Sequence, residues 1–197
     1  MIGDIFGSPV APVGPTLITF VCTGNICRSP LAEKVLRLRM AEASIDDILV
    51  SSVGLHAVVG SGMDGLPAEI ASREGADPAH LAVQADAENI RASSLVLTMT
   101  REQRSELVRE FPFALKRTFT LAEFVRILEE SPPVATRSAR SRPLFDTVVE
   151  AGVLRSSIPL SDADDVDDPY RRSPATHERV GSEIIALVDR LMNSLAG

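Results

Sequence analysis

The fold is decided by the twenty residues from Thr16 to Val35, which read TLITFVCTGNICRSPLAEKV. The first six, Thr16 to Val21, form an apolar and largely β-branched run, which is typical of a buried strand. From Pro30 the pattern is helical, because proline fits the first turn of a helix and apolar residues then recur at helical spacing. This stretch therefore predicts a strand, a tight loop and a helix in succession.

The same alternation of strand and helix patterns continues along the chain. Short apolar runs predict three further strands, and amphipathic or charged stretches predict four further helices. The predicted strands are Ile48–Ser52, Leu95–Met99 and Thr118–Thr120, and the predicted helices are Leu66–Glu74, Arg101–Glu110, Leu121–Glu130 and Ser182–Leu195. This order favours an open, mostly parallel, four-stranded twisted sheet with helices on both faces, in a flavodoxin-like, doubly wound α/β fold.

A chain of 197 residues can bury one sizeable core, and we expect one domain over residues 15–197. Residues 1–14 are expected to form a flexible tail. Residues 131–160 are expected to form an irregular insertion that is mobile in part, because its beginning, Ser131 to Pro143, reads SPPVATRSARSRP and has no apolar period.

The composition argues against several classes of protein. Two cysteines and three histidines are too few, at these spacings, for a disulfide scaffold or a structural zinc site, so we expect no metal and no cofactor. A net charge of −7 without a long basic run argues against a duplex nucleic-acid partner. The start of the chain lacks the pattern of a signal peptide, and no stretch has the apolar length of a membrane span. We therefore expect a soluble, cytoplasmic protein without a membrane partner.

The loop after the first predicted strand is suited to binding an anion. Ligands in open α/β folds bind at the carboxyl ends of strands, where the next helix presents free N–H groups and its positive end. Gly24 and Asn25 tolerate unusual backbone torsions, so the loop CTGNICRS, which begins at Cys22 and includes Thr23, Ile26, Cys27 and Ser29, can turn successive amides inward. Phosphate or another oxyanion, as product or inhibitor, is expected there.

Cys22 lies where this loop begins, and the amides, the helix end and Arg28 all favour its thiolate form. Cys22 is then a nucleophile at neutral pH. Arg28 can hold two phosphate oxygens at once, and Ser29 can donate its hydroxyl hydrogen to the sulfur. Cys27 leaves two interpretations open: it packs in the core, or it traps an oxidised Cys22 as a reversible disulfide.

With these residues in view, VCTGNICRSP, from Val21 to Pro30, resembles the signature C-x-G-N-x-C-R-S-P of the low-molecular-weight protein tyrosine phosphatase family and matches every defined position. The resemblance extends to the C-terminal helix and is to the bacterial type. It implies metal-independent hydrolysis of phosphotyrosine and aryl phosphate monoesters through a phosphocysteine on Cys22. It also implies a tyrosine-phosphorylated protein substrate, and the chain is similar to members that oppose bacterial tyrosine kinases of polysaccharide export.

The resemblance also implies roles for residues outside the loop. Asp168, within DDPY, matches the general acid that protonates the leaving group and then activates water. The alternative is that Asp168 belongs to a solvated acidic loop, in which Asp167 is its neighbour. Asn25, Ser52 and His80 match positions that hold the loop's backbone by hydrogen bonds, although His80 can equally be a partly exposed loop histidine.

Departures from the family bear on the choice of substrate. The chain has no tryptophan, and Tyr170 is the main aromatic side chain left to contact a phosphotyrosine ring. The other side chains expected in this wall are Thr23, Ile26 and either His56 or Val58. Arg171 stands where many relatives carry an aromatic residue or glycine.

Two other functions compete with this one. The related thioredoxin-coupled arsenate reductases share the loop, but their relay uses further cysteines downstream, and this chain has none after Cys27. A non-catalytic phosphate-binding module would be expected to lose the nucleophile or the acid. Retention of Cys22, Arg28 and Asp168 favours catalysis.

Overall fold

The computed structural model describes residues 15–130, 144–159 and 161–196. Its sheet has four parallel strands, which are β1 (Thr16–Cys22), β2 (Ile48–Gly54), β3 (Leu95–Thr98) and β4 (Thr118–Thr120). The strands lie side by side in the order β2-β1-β3-β4. The parallel four-stranded sheet predicted from the sequence is confirmed.

Helices of very different length surround this sheet in the described ranges. The α-helices are α1 (Arg28–Glu42), α2 (Gly65–Arg73), α3 (Ala87–Ala92), α4 (Arg101–Glu110), α5 (Leu121–Glu130), α6 (Leu144–Leu154) and α7 (Pro174–Ala196). Short 3-10 helices occupy Pro112–Arg117, Arg155–Ser157 and Asp162–Asp164.

The two faces of the sheet carry separate apolar clusters, because side chains alternate along each strand. Ile18 and Phe20 of β1 belong to the larger cluster, with residues of α1, α5 and α7. Val21 belongs to the smaller one, with Ile90 of α3 and Leu107 of α4. Helices therefore cover both faces, as predicted.

Helix α6 corrects one expectation. It lies within residues 131–160, which the sequence predicted to be irregular, whereas residues 131–143 and 160 lie outside the described residues. Leu144, Val148 and Ala151 are buried in the larger cluster at helical spacing. The helix forms because these side chains bury one face.

Helix α7 also begins earlier than predicted, at Pro174 instead of Ser182. Its start is set by Ser173, whose Oγ accepts a hydrogen bond from the backbone N–H of Thr176 at 3.2 Å, and by proline in the first turn.

Among the described helices, α7 included, none combines the length and apolar character needed to cross a membrane.

Strand order places a crevice at the end of β1. The chain passes from β1 to β2 on one side, whereas β3 pairs with β1 on the other side. Such a reversal separates the connections that follow the two strands, and ligands of open α/β sheets bind there. Cys22 is the last residue of β1 and lies at this point.

Candidate active site

Cys22 lies at the base of the loop that joins β1 to α1. Its side chain is 2% exposed, and its Sγ lies 3.0 Å from Oγ of Ser29 in the first turn of α1. Asn25, in the middle of the loop, has a φ of 54°, in the left-handed region that asparagine tolerates better than most residues. The loop thus curls back and brings the start of α1 to the sulfur.

The carbonyl oxygens of this loop are bound by groups outside it. Backbone N–H groups of the segment after β2 donate to four of them: Leu55 to Cys22 (2.9 Å), His56 to Thr23 (2.9 Å), Val58 to Gly24 (3.0 Å) and Asp64 to Ile26 (2.8 Å). Among the described residues, the N–H groups of residues 23–28 donate no hydrogen bond to protein. Because the carbonyls are held outward, these amides are left to face an anion beside Cys22.

Asn25 ties the loop to its surroundings through its side chain. Its Nδ2 donates to Oγ of Ser29 and to Oγ of Ser52, both at 2.9 Å, and its Oδ1 accepts from the N–H of Val83 at 2.8 Å. Ser52 in turn donates to Oε2 of the buried Glu33 at 2.6 Å. The amide of Asn25 therefore has fixed partners on three elements of the chain.

His80 holds the remaining carbonyl of the loop. Its Nε2 lies 2.7 Å from the carbonyl oxygen of Asn25. A carbonyl can only accept, so Nε2 carries the hydrogen and the ring is either the Nε2–H tautomer or the cation. The structure thus places both Ser52 and His80 against the loop.

Gly54, the last residue of β2, permits this close packing. A Cβ there would lie 2.6 Å from the carbonyl oxygen of Thr23 and 3.0 Å from the backbone nitrogen of Asn25. Both are backbone atoms that cannot turn aside. Only glycine lets the loop lie this close to β2.

Arg28 lies in the first turn of α1 and is 4% exposed. Its Nη2 lies 2.9 Å from Oδ2 of Asp168, and its Nη1 donates to the carbonyl oxygen of Val166 at 3.2 Å. Its Nε is buried and has no hydrogen-bond partner. The guanidinium thus has one donor group free beside the loop.

The segment that carries Asp168 is anchored on both sides of the sheet. Asp164 pairs with Arg126 of α5, and Asp165 pairs with Arg101 of α4, each at 2.9 Å. The N–H of Val166 also donates to the carbonyl oxygen of Met99 at 2.8 Å, just beyond β3. These contacts bring the exposed carboxylate of Asp168 beside the loop, 146 residues after Cys22 in sequence.

Cys27 has a different environment from Cys22. Its Sγ donates to Oδ2 of Asp64 at 3.8 Å, and both cysteines are free thiols. Burial, and then the charge of Asp64, raise the pKa of the Cys27 thiol to about 12. Cys27 is therefore a neutral thiol at physiological pH.

The residues expected to contact the substrate's ring do not all converge. Tyr170 follows Asp168 by two residues and is 45% exposed, but Oγ1 of Thr23 accepts a hydrogen bond from Gln103. The imidazole of His56 is turned to Glu106 of α4, at 2.7 Å. The side chains near Gly24 are instead those of Ile26 and Val58, which would lie 3.4 and 3.8 Å from a Cβ at that glycine.

Three contributors to the site were missed from the sequence. Gln103 donates from Nε2 to Thr23 at 3.0 Å and accepts at Oε1 from the N–H of Met99 at 3.1 Å. Glu33 supports Ser52, and Gly54 gives the loop its room. A signal existed for Gly54 alone, as a glycine just after the predicted strand Ile48–Ser52. Over the described ranges, no group of three or more His, Cys, Asp or Glu side chains is arranged to hold a metal ion.

A family model, curated relatives and solved structures all relate this chain to low molecular weight phosphatases. The family model for low molecular weight phosphotyrosine protein phosphatases matches residues 17–151. A protein-arginine-phosphatase of Geobacillus stearothermophilus is 36% identical over 111 residues, which are 56% of this chain and 72% of the relative. A low molecular weight protein-tyrosine-phosphatase of Acinetobacter johnsonii is 32% identical over 108 residues, which are 54% of this chain and 72% of the relative. The solved structure of the YwlE arginine phosphatase from Geobacillus stearothermophilus has a TM-score of 0.67 at 28% identity, and the match covers 92% of this chain and 93% of that one.

Proposed function

Because the chain belongs to the low molecular weight phosphotyrosine protein phosphatase family, a family of hydrolases, we propose that it removes phosphoryl groups from tyrosine side chains of proteins through a phosphocysteine on Cys22. The observation that carries the proposal is the loop itself. Its carbonyls are held outward, its amides are unpaired, and Cys22 and Arg28 lie at its two ends. No metal or cofactor is required for this chemistry.

The first step forms the bond between sulfur and phosphorus. The loop amides and Arg28 bind the three non-bridging oxygens, and the free Nε of Arg28 is available for one of them. The Cys22 thiolate attacks phosphorus as the bond to the tyrosine oxygen breaks. Asp168, in its protonated form, gives its proton to that oxygen.

The second step releases phosphate. Asp168, now a carboxylate, takes a proton from a water molecule as the water oxygen attacks phosphorus. The bond between sulfur and phosphorus breaks, and the electron pair returns to Cys22. The hydroxyl of Ser29, 3.0 Å from the sulfur, then stabilises the departing thiolate.

Tyrosine is the proposed phosphorylated residue because the groups near the mouth of the loop suit a ring. Ile26 and Val58 flank Gly24, and Tyr170 is exposed beside Asp168. The proposed substrate is a phosphoprotein of the bacterial cytoplasm, where thiols are kept reduced, such as a tyrosine kinase that carries its own phosphotyrosines.

Phosphoarginine is the second candidate. A relative and a structural neighbour, both from Geobacillus stearothermophilus, are named as arginine phosphatases. A guanidinium is cationic and planar, and the carboxylate of Asp168 at the rim could pair with it. The same catalytic groups would serve either substrate.

For Cys27 we propose the resolving role. Peroxide would convert the Cys22 thiolate to a sulfenic acid, and the Cys27 sulfur would then attack the oxidised sulfur and release water. The product is a disulfide that thiols can reduce. The charge of Cys22 is one of the influences that raise the pKa of Cys27, which is consistent with two sulfurs close together.

Steady-state kinetics test the function. The substrates are p-nitrophenyl phosphate, a phosphotyrosine peptide and a phosphoarginine peptide, each assayed with a chelator present. Cys22→Ser is expected to abolish turnover, and Asp168→Asn to lower kcat by about 10² to 10⁴-fold. Asp167→Asn is the matched control, since Asp167 pairs with Arg179, and should retain most activity.

The outcomes separate the candidates. A higher kcat/KM for the phosphotyrosine peptide supports the first proposal, and a higher value for the phosphoarginine peptide replaces it with the second. Full turnover in Cys22→Ser, or equal losses in Asp167→Asn and Asp168→Asn, contradicts the assigned mechanism.

A further inference from the structure

The acidic segment from Asp162 to Asp168 is held by arginines of the protein. Each of its carboxylates contacts an arginine: Asp162 and Asp165 contact Arg101, Asp164 contacts Arg126, Asp167 contacts Arg179 and Asp168 contacts Arg28. Four arginines thus offset most of the charge of the five aspartates. Its charge is already used to hold the segment in place.

Arg171 and Arg172 follow Pro169 and Tyr170, and they are not used in this way. Both are exposed, and within the part of the chain that the structure describes neither pairs with a carboxylate. Two positive charges are therefore left over at the rim, beside Asp168, on a protein whose net charge is −7. Two exposed guanidinium groups without a carboxylate partner can attract an anionic group.

The backbone holds these two arginines in a defined place. Arg171 has a φ of 60°, in the left-handed region that residues other than glycine rarely adopt. The N–H of Arg172 donates to the carbonyl oxygen of Pro169 at 2.9 Å. The guanidinium of Arg171 lies 5.1 Å from the ring centroid of Tyr170. Backbone strain of this kind persists where the surrounding structure imposes it, and it is common at functional sites.

We propose that Arg171 and Arg172 form a second anion subsite, which binds a carboxylate or a second phosphate next to the phosphorylated residue of the protein substrate. The proposal rests on the function proposed above. An extended peptide advances about 3.3 Å per residue, so a group one or two residues from the phosphorylated side chain can reach the rim. A guanidinium suits either anion, because its planar fork donates two parallel hydrogen bonds.

The test uses four phosphotyrosine peptides of equal length. Their flanking residues are neutral, acidic (Glu), basic (Lys) or carry a second phosphotyrosine. We expect kcat/KM at low ionic strength to be about three- to tenfold higher for the acidic than for the neutral peptide, and this ratio to fall in 0.5 M salt. The Glu and doubly phosphorylated arms show whether carboxylate, phosphate or both are bound.

The variant is the double substitution Arg171→Gly and Arg172→Ala, in which glycine accepts the positive φ. The acidic-to-neutral ratio is expected to fall to about one, because exposed ion pairs supply the difference. Arg109→Ala is the matched control: Arg109 is an exposed arginine at the far end of α4, and no ion pair of the described residues includes it. It should keep the wild-type ratio.

The same ratio can be read from binding, by fluorescence anisotropy of the peptides on the Cys22→Ser protein. If wild type hydrolyses none of the peptides but the ratio of Kd values still depends on the two arginines, the proposed function fails and the subsite stands. An acidic-to-neutral ratio that is unchanged in the double variant, or that falls equally in Arg109→Ala, overturns the subsite.

Discussion

Asn25 shows at the residue scale how one side chain can hold a catalytic loop. Its amide has partners in α1, in β2 and in the segment that contains Val83, and its carbonyl is held by His80. The left-handed torsion of Asn25 would be costly in most residues, and these contacts offset that cost. The loop is therefore shaped before any phosphoryl group arrives, which is what stabilisation of a transition state requires.

The redox role of Cys27 can be tested at the same scale. After mild peroxide, wild type should regain most activity with thiol, whereas Cys27→Ser should lose activity irreversibly as Cys22 oxidises further. Because the pKa of Cys27 is raised to about 12, its thiolate fraction grows with pH throughout the physiological range. The rate of disulfide formation should then rise about tenfold per pH unit between pH 7 and 9.

Activity assays and mass spectrometry of the Cys22–Cys27 crosslinked peptide provide the measurement. Serine is the replacement at position 27 because its side chain is close in size to that of cysteine. Equal recovery of wild type and Cys27→Ser, with no crosslinked peptide, would leave Cys27 as a packing residue only.

At the scale of elements, the site depends on how closely β2 lies against the loop. Gly54 ends β2, and the segment after it supplies the N–H groups that hold the loop's carbonyls outward. The loop's amides face inward only while that segment stays within hydrogen-bonding distance of the loop's carbonyls. A change at Gly54 should therefore disturb phosphate binding without touching Cys22 or Arg28.

Gly54→Ala is expected to lower kcat/KM by about 10²-fold or more, because the added Cβ would collide with the backbone of Thr23 and Asn25 and displace the loop. Gly65→Ala is the matched control, since a Cβ there meets no atom within 4 Å. Kinetics and thermal unfolding are measured together. Near-wild-type kcat/KM in a folded Gly54→Ala protein would show that the packing of β2 on the loop is not needed.

Elements also show what the sequence could and could not predict. The strands were predictable because each is a short run rich in apolar or β-branched residues. The loop after β1 was predictable because Cys, Gly-Asn, Arg and Ser fall together between a strand and a helix pattern. Helix α6 was missed because the sequence just before it, residues 131–143, has no apolar spacing, and the whole stretch was therefore taken as irregular. Gln103 was missed because its contact with Thr23 spans 80 residues and arises only when α4 packs beside the loop.

On the scale of the whole molecule, distant parts of the chain meet at one edge of the sheet. Cys22 and Arg28 are fixed by β1 and α1, and Asp168 is fixed by salt bridges that its neighbours make with α4 and α5. The motif predicted that Asp168 would take part, but the sequence alone does not tell which arginine pairs with which aspartate. Those pairings depend on the packed positions of helices far apart in the chain.

The same scale explains the distribution of charge. The protein is acidic overall, yet Arg171 and Arg172, close to Asp168 in sequence, have no carboxylate partner among the described residues. The field of two such charges steers anionic segments toward the loop and repels cationic ones. The proposed preference for acidic phosphoproteins would therefore be a property of the assembled fold.

Cys22 is proposed to carry the phosphoryl group during turnover, and that proposal can be tested by trapping the phosphocysteine. A phosphotyrosine peptide is mixed with wild type and with Asp168→Asn, the reaction is stopped in acid within milliseconds to seconds, and the proteolytic fragments are analysed by mass spectrometry. We predict a phosphoryl adduct on the fragment that contains Cys22, absent in Cys22→Ala. Continued release of phosphate by wild type with no adduct on Cys22 at any time, or with an adduct on another residue, would contradict the account.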